Sequence, residues 1–176
     1  MAQMGEKIPC FVDDEYSDGV SLPLSSFDPL KFEVMIAIGN SSDRMKMKNK
    51  LPGETKFFSW VHPTALMLGE IVIGEGTFIG AYSILTDNIK IGSHSLLNRG
   101  VQIGHDCQIG DFFSAMPSSV VGGNVFIGDC VYLGSCSSVR EKIKISDNSY
   151  VGMNSGVVKD IDYPGVYVGT PAKKIK

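Results

Sequence analysis

One periodicity constrains this chain more than any other feature. Every sixth residue from Val61 to Val157 gives seventeen positions, beginning Val61, Met67, Ile73 and ending Ile145, Val151, Val157, and all seventeen are apolar. From Ile73 onward the following residue is glycine in nine of fifteen cases. Neither the 3.6-residue period of a helix nor the alternation of a lone strand produces this. A fixed six-residue repeat with glycine after the aliphatic predicts a parallel β-helix of hexapeptide turns, and so a mainly β protein.

The phase of the repeat predicts more than its existence. Side chains on a strand alternate, so the residue two before each aliphatic points to the same, inward side. These positions are mostly small; Phe113 is the exception, and beside it stands Ala115, the smallest of the seventeen. A slower period of eighteen is superimposed: Ile71-Val72-Ile73-Gly74 recurs as Ile89-Lys90-Ile91-Gly92 and as Val125-Phe126-Ile127-Gly128. Three hexads per coil predict a triangular prism, and five to six coils at about 4.8 Å each make it roughly 27 Å tall. The ends of such a solenoid need covering. The segment before the repeat is expected to cover one end, and the tail after Val157, an extended segment folded back along the prism, the other.

Residues 1–59 do not follow the hexad and are expected to form a small α/β domain, with the β-helix and its tail occupying 60–176. Ile8 to Val12 reads as a short strand ended by Asp13-Asp14, and Phe32 to Ile38 as a buried strand stopping at Gly39-Asn40. Ser41-Ser42-Asp43 is a helix N-cap cluster, and the helix after it carries Met45 and Met47 for packing. Lys56 to Val61 is a third strand that feeds the repeat. Gly39-Asn40 is either an ordinary tight turn or a ligand site at a strand's carboxyl end.

A net charge of −3 over 176 residues, with no basic block, excludes a phosphate-backbone track and so gives no nucleic-acid partner. No apolar run reaches membrane-spanning length and the N-terminus carries no signal-peptide pattern, so a cytoplasmic protein without membrane insertion is expected. The four cysteines, Cys10, Cys107, Cys130 and Cys136, have no CxxC spacing and read as reduced structural thiols.

Chemistry points to His105. Ile103 and Cys107 both face inward, so His105 falls at a corner and projects outward, followed directly by Asp106. An imidazole, with an ordinary pKa of about 6.5, works as a general base near neutral pH, and an adjacent carboxylate fixes its tautomer and raises its basicity. The pattern alone leaves the pair as either this or a solvated turn. His94 and His105 are eleven residues apart rather than a multiple of eighteen, so they lie on different edges. No metal site is therefore expected within one chain, which argues against a γ-class carbonic anhydrase on the same fold.

The hexads, the segments LLNRGVQIGHDCQIGDF and VVGGNVFIGDCVYLGS, the ending YPGVYVGTPAKK, and FVDDEYSDG and VMIAIGNSSDR nearer the start resemble bacterial sugar acetyltransferases with a left-handed β-helix. The resemblance is to the sialic-acid O-acetyltransferase NeuD and PglD family. It implies a homotrimer that uses acetyl-CoA to acetylate a nucleotide-linked amino sugar for surface glycan synthesis. It also implies His105 as general base, Asp106 as its acidic neighbour, and Asn98 facing the reacting group. Coenzyme A would lie between two prisms against Ser114, Ser135 and Met153, although PglD-type members carry His at the Ser114 position. Asp13, Asp14 and Gly39 match the substrate side. The family's first strand and glycine-rich turn have no counterpart, so the small domain is expected to be N-terminally incomplete. Transfer to a sialic acid or other sugar hydroxyl, and a non-catalytic trimeric module, are the alternatives.

Overall fold

The repeat closes into a three-sided prism in a computed structural model that describes residues 11–12 and 21–176. Its three faces are parallel sheets. The first face stacks Trp60–Val61, Phe78–Ile79, Leu96–Leu97, Ser114–Ala115, Tyr132–Leu133 and Ser149–Val151. The second runs from Leu66–Met67 through Gln102–Ile103 to Gly156–Val157, and the third from Ile71–Ile73 through Gln108–Ile109 to Lys144–Ile145. Every pairing within these stacks joins residues eighteen apart, as in Leu96↔Ser114 and Gln102↔Val120.

Both inward positions of the hexad behave as their phase requires. The aliphatics from Ile79 to Val157 are all buried, none more than 5% exposed, and so is every residue two before them from Thr77 to Ser155. Phe113 and Ala115 are both fully enclosed, so a large and a small side chain share a constant cross-section. Inward hydroxyls reach backbone carbonyls, Thr77 donating to that of Gly92 at 3.1 Å and Ser83 to that of Asn98 at 3.1 Å, whereas the Ser137 hydroxyl is enclosed without a partner.

The corners have a backbone signature of their own. Every sixth residue from Gly76 to Asn154 has a positive φ, between 51° and 67°, and Asp106 at 59° is one of them. Asparagine, which tolerates this left-handed region, fills it at 88, 124, 148 and 154. The glycines that follow the aliphatics answer a different need. At Gly104 a Cβ would stand 2.6 Å from the backbone of Gly122 and Gly123 in the next coil, closer than real side chains come.

Outside the hexads the sequence expectations need correction. The Phe32 to Ile38 segment forms only the two-residue strand Glu33–Val34, paired in parallel with Lys56–Phe57. Lys56 to Val61 is split between that pair and the prism's first rung. Helix α1 (Ser41–Lys50) is capped by Asn40, whose side chain accepts from the Asp43 N–H at 3.0 Å, rather than by Ser41-Ser42-Asp43. Its buried residues are Ser41 and Arg44, while Met45 and Met47 are only partly covered. The helix sits against an edge of the prism and not over its end: Leu66, Met67 and Leu68 of the first coil stay 51%, 38% and 65% exposed. The tail does not fold back along the prism. Gly165–Val168 adds to Ser149–Val151 in parallel as one more rung, and only Lys173–Lys174 turns antiparallel. Ile8 to Cys10 lie outside the described residues; Phe11–Val12 pairs in parallel with Leu22–Pro23.

Candidate active site

The three histidines mark the three edges of the prism. His62 follows the first face and precedes the second, His105 joins the second to the third, and His94 joins the third back to the first. Among the described residues no three His, Cys, Asp or Glu side chains converge as metal ligands. His94 is 3% exposed, stacked on Phe112 with ring centroids 5.0 Å apart and edge-on to Phe57 at 4.6 Å. Burial pushes its pKa down, against the pull of Glu75 and Asp111. It is a packing residue of the junction with helix α1.

His105 is the reverse case. Its side chain is 60% exposed and that of Asp106 is 44% exposed. Nδ1 of His105 meets Oδ2 of Asp106 at 2.7 Å. A carboxylate only accepts, so this bond assigns the ring hydrogen to Nδ1 and leaves the lone pair on Nε2. The other Asp106 oxygen, Oδ1, accepts from the side-chain amide of Asn88 at 2.6 Å. Bonds from His105 first and Asn88 second hold the Asp106 carboxyl below its ordinary value of 3.8. Its carboxylate thus outlasts the titration range of an imidazole.

Two neighbours complete the corner, and both lie one coil away. Asn88 is eighteen residues before Asp106, and Gly123 eighteen after His105. A Cβ at Gly123 would stand 2.7 Å from His105 Nε2 and 2.9 Å from Cε1, so the imidazole lies over a glycine. A hollow of about 490 Å³ opens beside the pair, lined by Asn88, Lys90, Asp106, Gln108 and Asn124. The sequence reading passed over Asn88 and Gly123. Their signal was there in the eighteen-residue period, applied to the corner residues instead of the aliphatics.

The other expected site residues lie elsewhere. Asn98, Ser135 and Met153 share the His62 edge, and Ser135 and Met153, eighteen apart, are successive levels of it. Met153 is 72% exposed. Asn98 uses its Oδ1 on the N–H of Arg99 at 2.8 Å. The structure therefore brings His105 and Asp106 together and keeps Asn98, Ser135 and Met153 on a different edge of the same protomer. Ser114 is fully buried; its hydroxyl donates to the Gly39 carbonyl at 2.9 Å and receives Ser41 at 2.9 Å and Arg44 Nη2 at 2.8 Å. Its side chain is a strut between helix α1 and the prism, with no face open to a cofactor. Gly39 immediately precedes the cap of helix α1, and a Cβ there would meet nothing within 4 Å. Asp13 and Asp14 fall outside the described residues.

The three described cysteines are free; burial raises the thiols of Cys107 and Cys130, as structural thiols require, whereas Cys136 is exposed. No helix among the described residues is long and apolar enough to cross a membrane.

Residues 70–105 match the family model described as bacterial transferase hexapeptide (six repeats). Fold and repeat together are those of a parallel β-helix built from hexapeptide turns. Over nearly its whole length it resembles one solved structure in particular, WeeI from Acinetobacter baumannii AYE. The two are 28% identical with a TM-score of 0.86, and the likeness covers 94% of this chain and 85% of that one. The acetyltransferase domain of PglB from Neisseria gonorrhoeae FA1090, solved with acetyl coenzyme A, shares the fold at 23% identity and a TM-score of 0.68, over 94% of this chain and 85% of that one. Among curated proteins, GDP-perosamine N-acetyltransferase of Escherichia coli O157:H7 is 28% identical over 115 residues, 65% of this chain and 52% of that protein. The chain spans about half the length of the curated relatives it matches.

Proposed function

We propose that this protein is an acetyl-CoA-dependent N-acetyltransferase acting on a nucleotide-linked amino sugar for surface glycan synthesis, with His105 as general base. The observation that carries the reading is the exposed His105–Asp106 pair, bonded at 2.7 Å with Nε2 left as a lone-pair acceptor. The acetyl- and acyltransferase names of its relatives, N-acetylation of a nucleotide-linked sugar among them, support the substrate class. As the amine nitrogen adds to the thioester carbonyl, His105 Nε2 takes its proton and the Asp106 carboxylate stabilises the imidazolium. The C–N bond forms, the C–S bond breaks, and His105 returns the proton to the departing thiolate. No step calls for a metal.

The geometry also supports a homotrimer. Asn98, Ser135 and Met153 lie on the His62 edge while the base lies on its own, so a site using both needs a second prism alongside. The acetyl donor would then lie in the groove between protomers, against Ser135 and Met153. The test is thiol release from acetyl-CoA, on protein whose mass light scattering reads as three copies, against a panel of nucleotide-linked amino sugars and their hydroxyl counterparts. Acceptor-dependent turnover on the amines is the expected result. Turnover only on the hydroxyls transfers the reading to O-acylation, which the UDP-N-acetylglucosamine O-acyltransferase relatives favour; release without any acceptor dependence overturns both.

Gly123 tests the geometry of the base. In Gly123→Ala the new methyl displaces the exposed imidazole from over the backbone, a shift of the order of an ångström. Displacements of that size cost roughly 10²-fold in rate. The thermal midpoint should stay within experimental error of wild type, because the atom that must yield belongs to a solvent-facing ring. A rate equal to wild type would remove Nε2 from the chemistry.

A further inference from the structure

We infer that Asn88 is a positioning residue for the proposed reaction: its amide turns the Asp106 carboxylate so that the second oxygen receives His105 Nδ1. This rests on the assignment of His105 as the base.

The need for such a residue follows from exposure. Asp106 stands on a surface corner with its side chain 44% exposed, and the terminal torsion of an aspartate is broad and roughly two-fold. An exposed His–Asp pair holds itself together only weakly. Something else must choose the carboxylate's orientation, and among the described residues the side chain that reaches Oδ1 is Asn88, at 2.6 Å. Asn88 is in turn fixed at its base. Its backbone N–H donates to Asp87 Oδ1 at 2.9 Å, and the Asp87 carbonyl receives the Asp106 N–H at 3.0 Å. Backbone and side chain thus lock one coil's corner onto the next, and the lock ends on the imidazole.

An amide suits this task better than a carboxylate or an ammonium. It donates to Asp106 without adding charge, so the carboxylate keeps its full negative charge for the imidazolium. Lys90 lines the same hollow and Asp87 lies directly beside Asn88, so charge was within reach of the corner and a neutral donor occupies the contact.

A purely conformational role is the competing explanation, since Asn88 has φ 51° and asparagine is favoured there. Glycine separates the two. It adopts the left-handed corner freely but has no amide. The expected result for Asn88→Gly is a kcat lower by roughly ten-fold, the low end of the loss seen when the group that orients a metal-bound histidine is removed. The KM values for acetyl-CoA and acceptor should stay within about two-fold. The acid limb of the kcat/KM profile should move to lower pH, because a less well-placed carboxylate stabilises the imidazolium less. Asn88→Asp, which sets two carboxylates face to face, should lose more than Asn88→Gly. In the Asp106→Ala background, Asn88→Gly should cost nothing further, since a residue acting through Asp106 has nothing left to position.

Full kcat in Asn88→Gly beside an inactive His105→Ala overturns this inference alone. A raised KM at unchanged kcat also overturns it, by making Asn88 a substrate contact in the hollow. Losses that add in the double variant show that Asn88 does not act through Asp106. A wild-type rate in His105→Ala overturns the base assignment and this inference with it.

Discussion

His105→Ala should lower kcat/KM for acetyl transfer by roughly 10²-fold or more while leaving the prism intact, the loss expected when a general base is removed. The two halves of that expectation have separate origins. The rate half comes from the lone pair on Nε2, which the bond between Nδ1 and Asp106 Oδ2 at 2.7 Å leaves on the outward atom. The stability half comes from exposure: a side chain 60% open to water on a corner contributes almost nothing to a core that lies on the other side of the backbone. His105 is flanked by glycine and a left-handed aspartate whose φ of 59° belongs to the range every corner from Gly76 to Asn154 repeats. Steady-state rates together with a thermal melt read both halves, and a wild-type rate in a folded variant removes the assignment.

The pH dependence carries a sign that can be stated in advance. Asp106 has its carboxyl pKa lowered, first by the bond from His105 and then by that from Asn88. Any stability it contributes is complete above the ordinary value of 3.8 and is lost only as pH falls through the still lower folded value. Over the range where an imidazole titrates, the carboxylate is therefore constantly ionised. The acid limb of activity should be a single ionisation and should disappear from the residual rate of His105→Ala.

The prism was legible because its constraint is arithmetical. Two inward residues per hexad must fill a narrow interior, and that requirement acts on every coil alike, so phase alone predicts that Phe113, Cys107 and Ser119 are enclosed. His105 was legible for the same reason: a histidine between inward Ile103 and Cys107 has to point out. What phase does not carry is the identity of neighbours along the edge. Asn88 and Gly123 are distant in sequence, and their types look like ordinary corner residues until the eighteen-residue stacking sets them against Asp106 and His105. Ser114 failed in a further way. Its outward position on the first face is that of an exposed residue, and it lies buried under helix α1, whose Ser41 and Arg44 bond to its hydroxyl. The short elements before the prism were over-read because an apolar run such as Phe32 to Ile38 satisfies strand propensity, while among the described residues the ladder reaches only Glu33 and Val34 of it.

Arg44→Met should release helix α1 from the prism, raising amide exchange in Ser41–Lys50 by roughly 10²-fold or more while exchange in the central coils stays unchanged. Ten residues are too few for a helix to persist in water on local propensity, so its order depends on docking. Arg44 supplies much of that docking. It is 1% exposed and has no carboxylate partner among the described residues, where its guanidinium donates to carbonyls on both sides of the junction. Nη1 reaches the carbonyl of Ile38 at 2.6 Å, Nε that of His94 at 2.7 Å, and Nη2 those of Phe112 and Phe113 at 2.9 Å each. Burial pulls its pKa down to about 10, as expected of a cation taken out of water. Methionine fills a similar volume but donates nothing. The buried carbonyl of His94 and the part-buried ones of Ile38 and Phe112 would then lose their donor, at about 1–3 kcal/mol for a buried acceptor left unpaired and less for the other two. Helix α1 avoids that cost only by lifting off so that water can reach them, and at about 1.4 kcal/mol per factor of ten even 3 kcal/mol yields the stated change in exchange. Arg44→Lys should fall between, because one ammonium on a flexible stem reaches fewer of these carbonyls than a planar fork. Unchanged exchange in α1 of the methionine variant would show that the helix is held by its other contacts instead, such as Met45 against Cys130 at 3.8 Å between sulfurs.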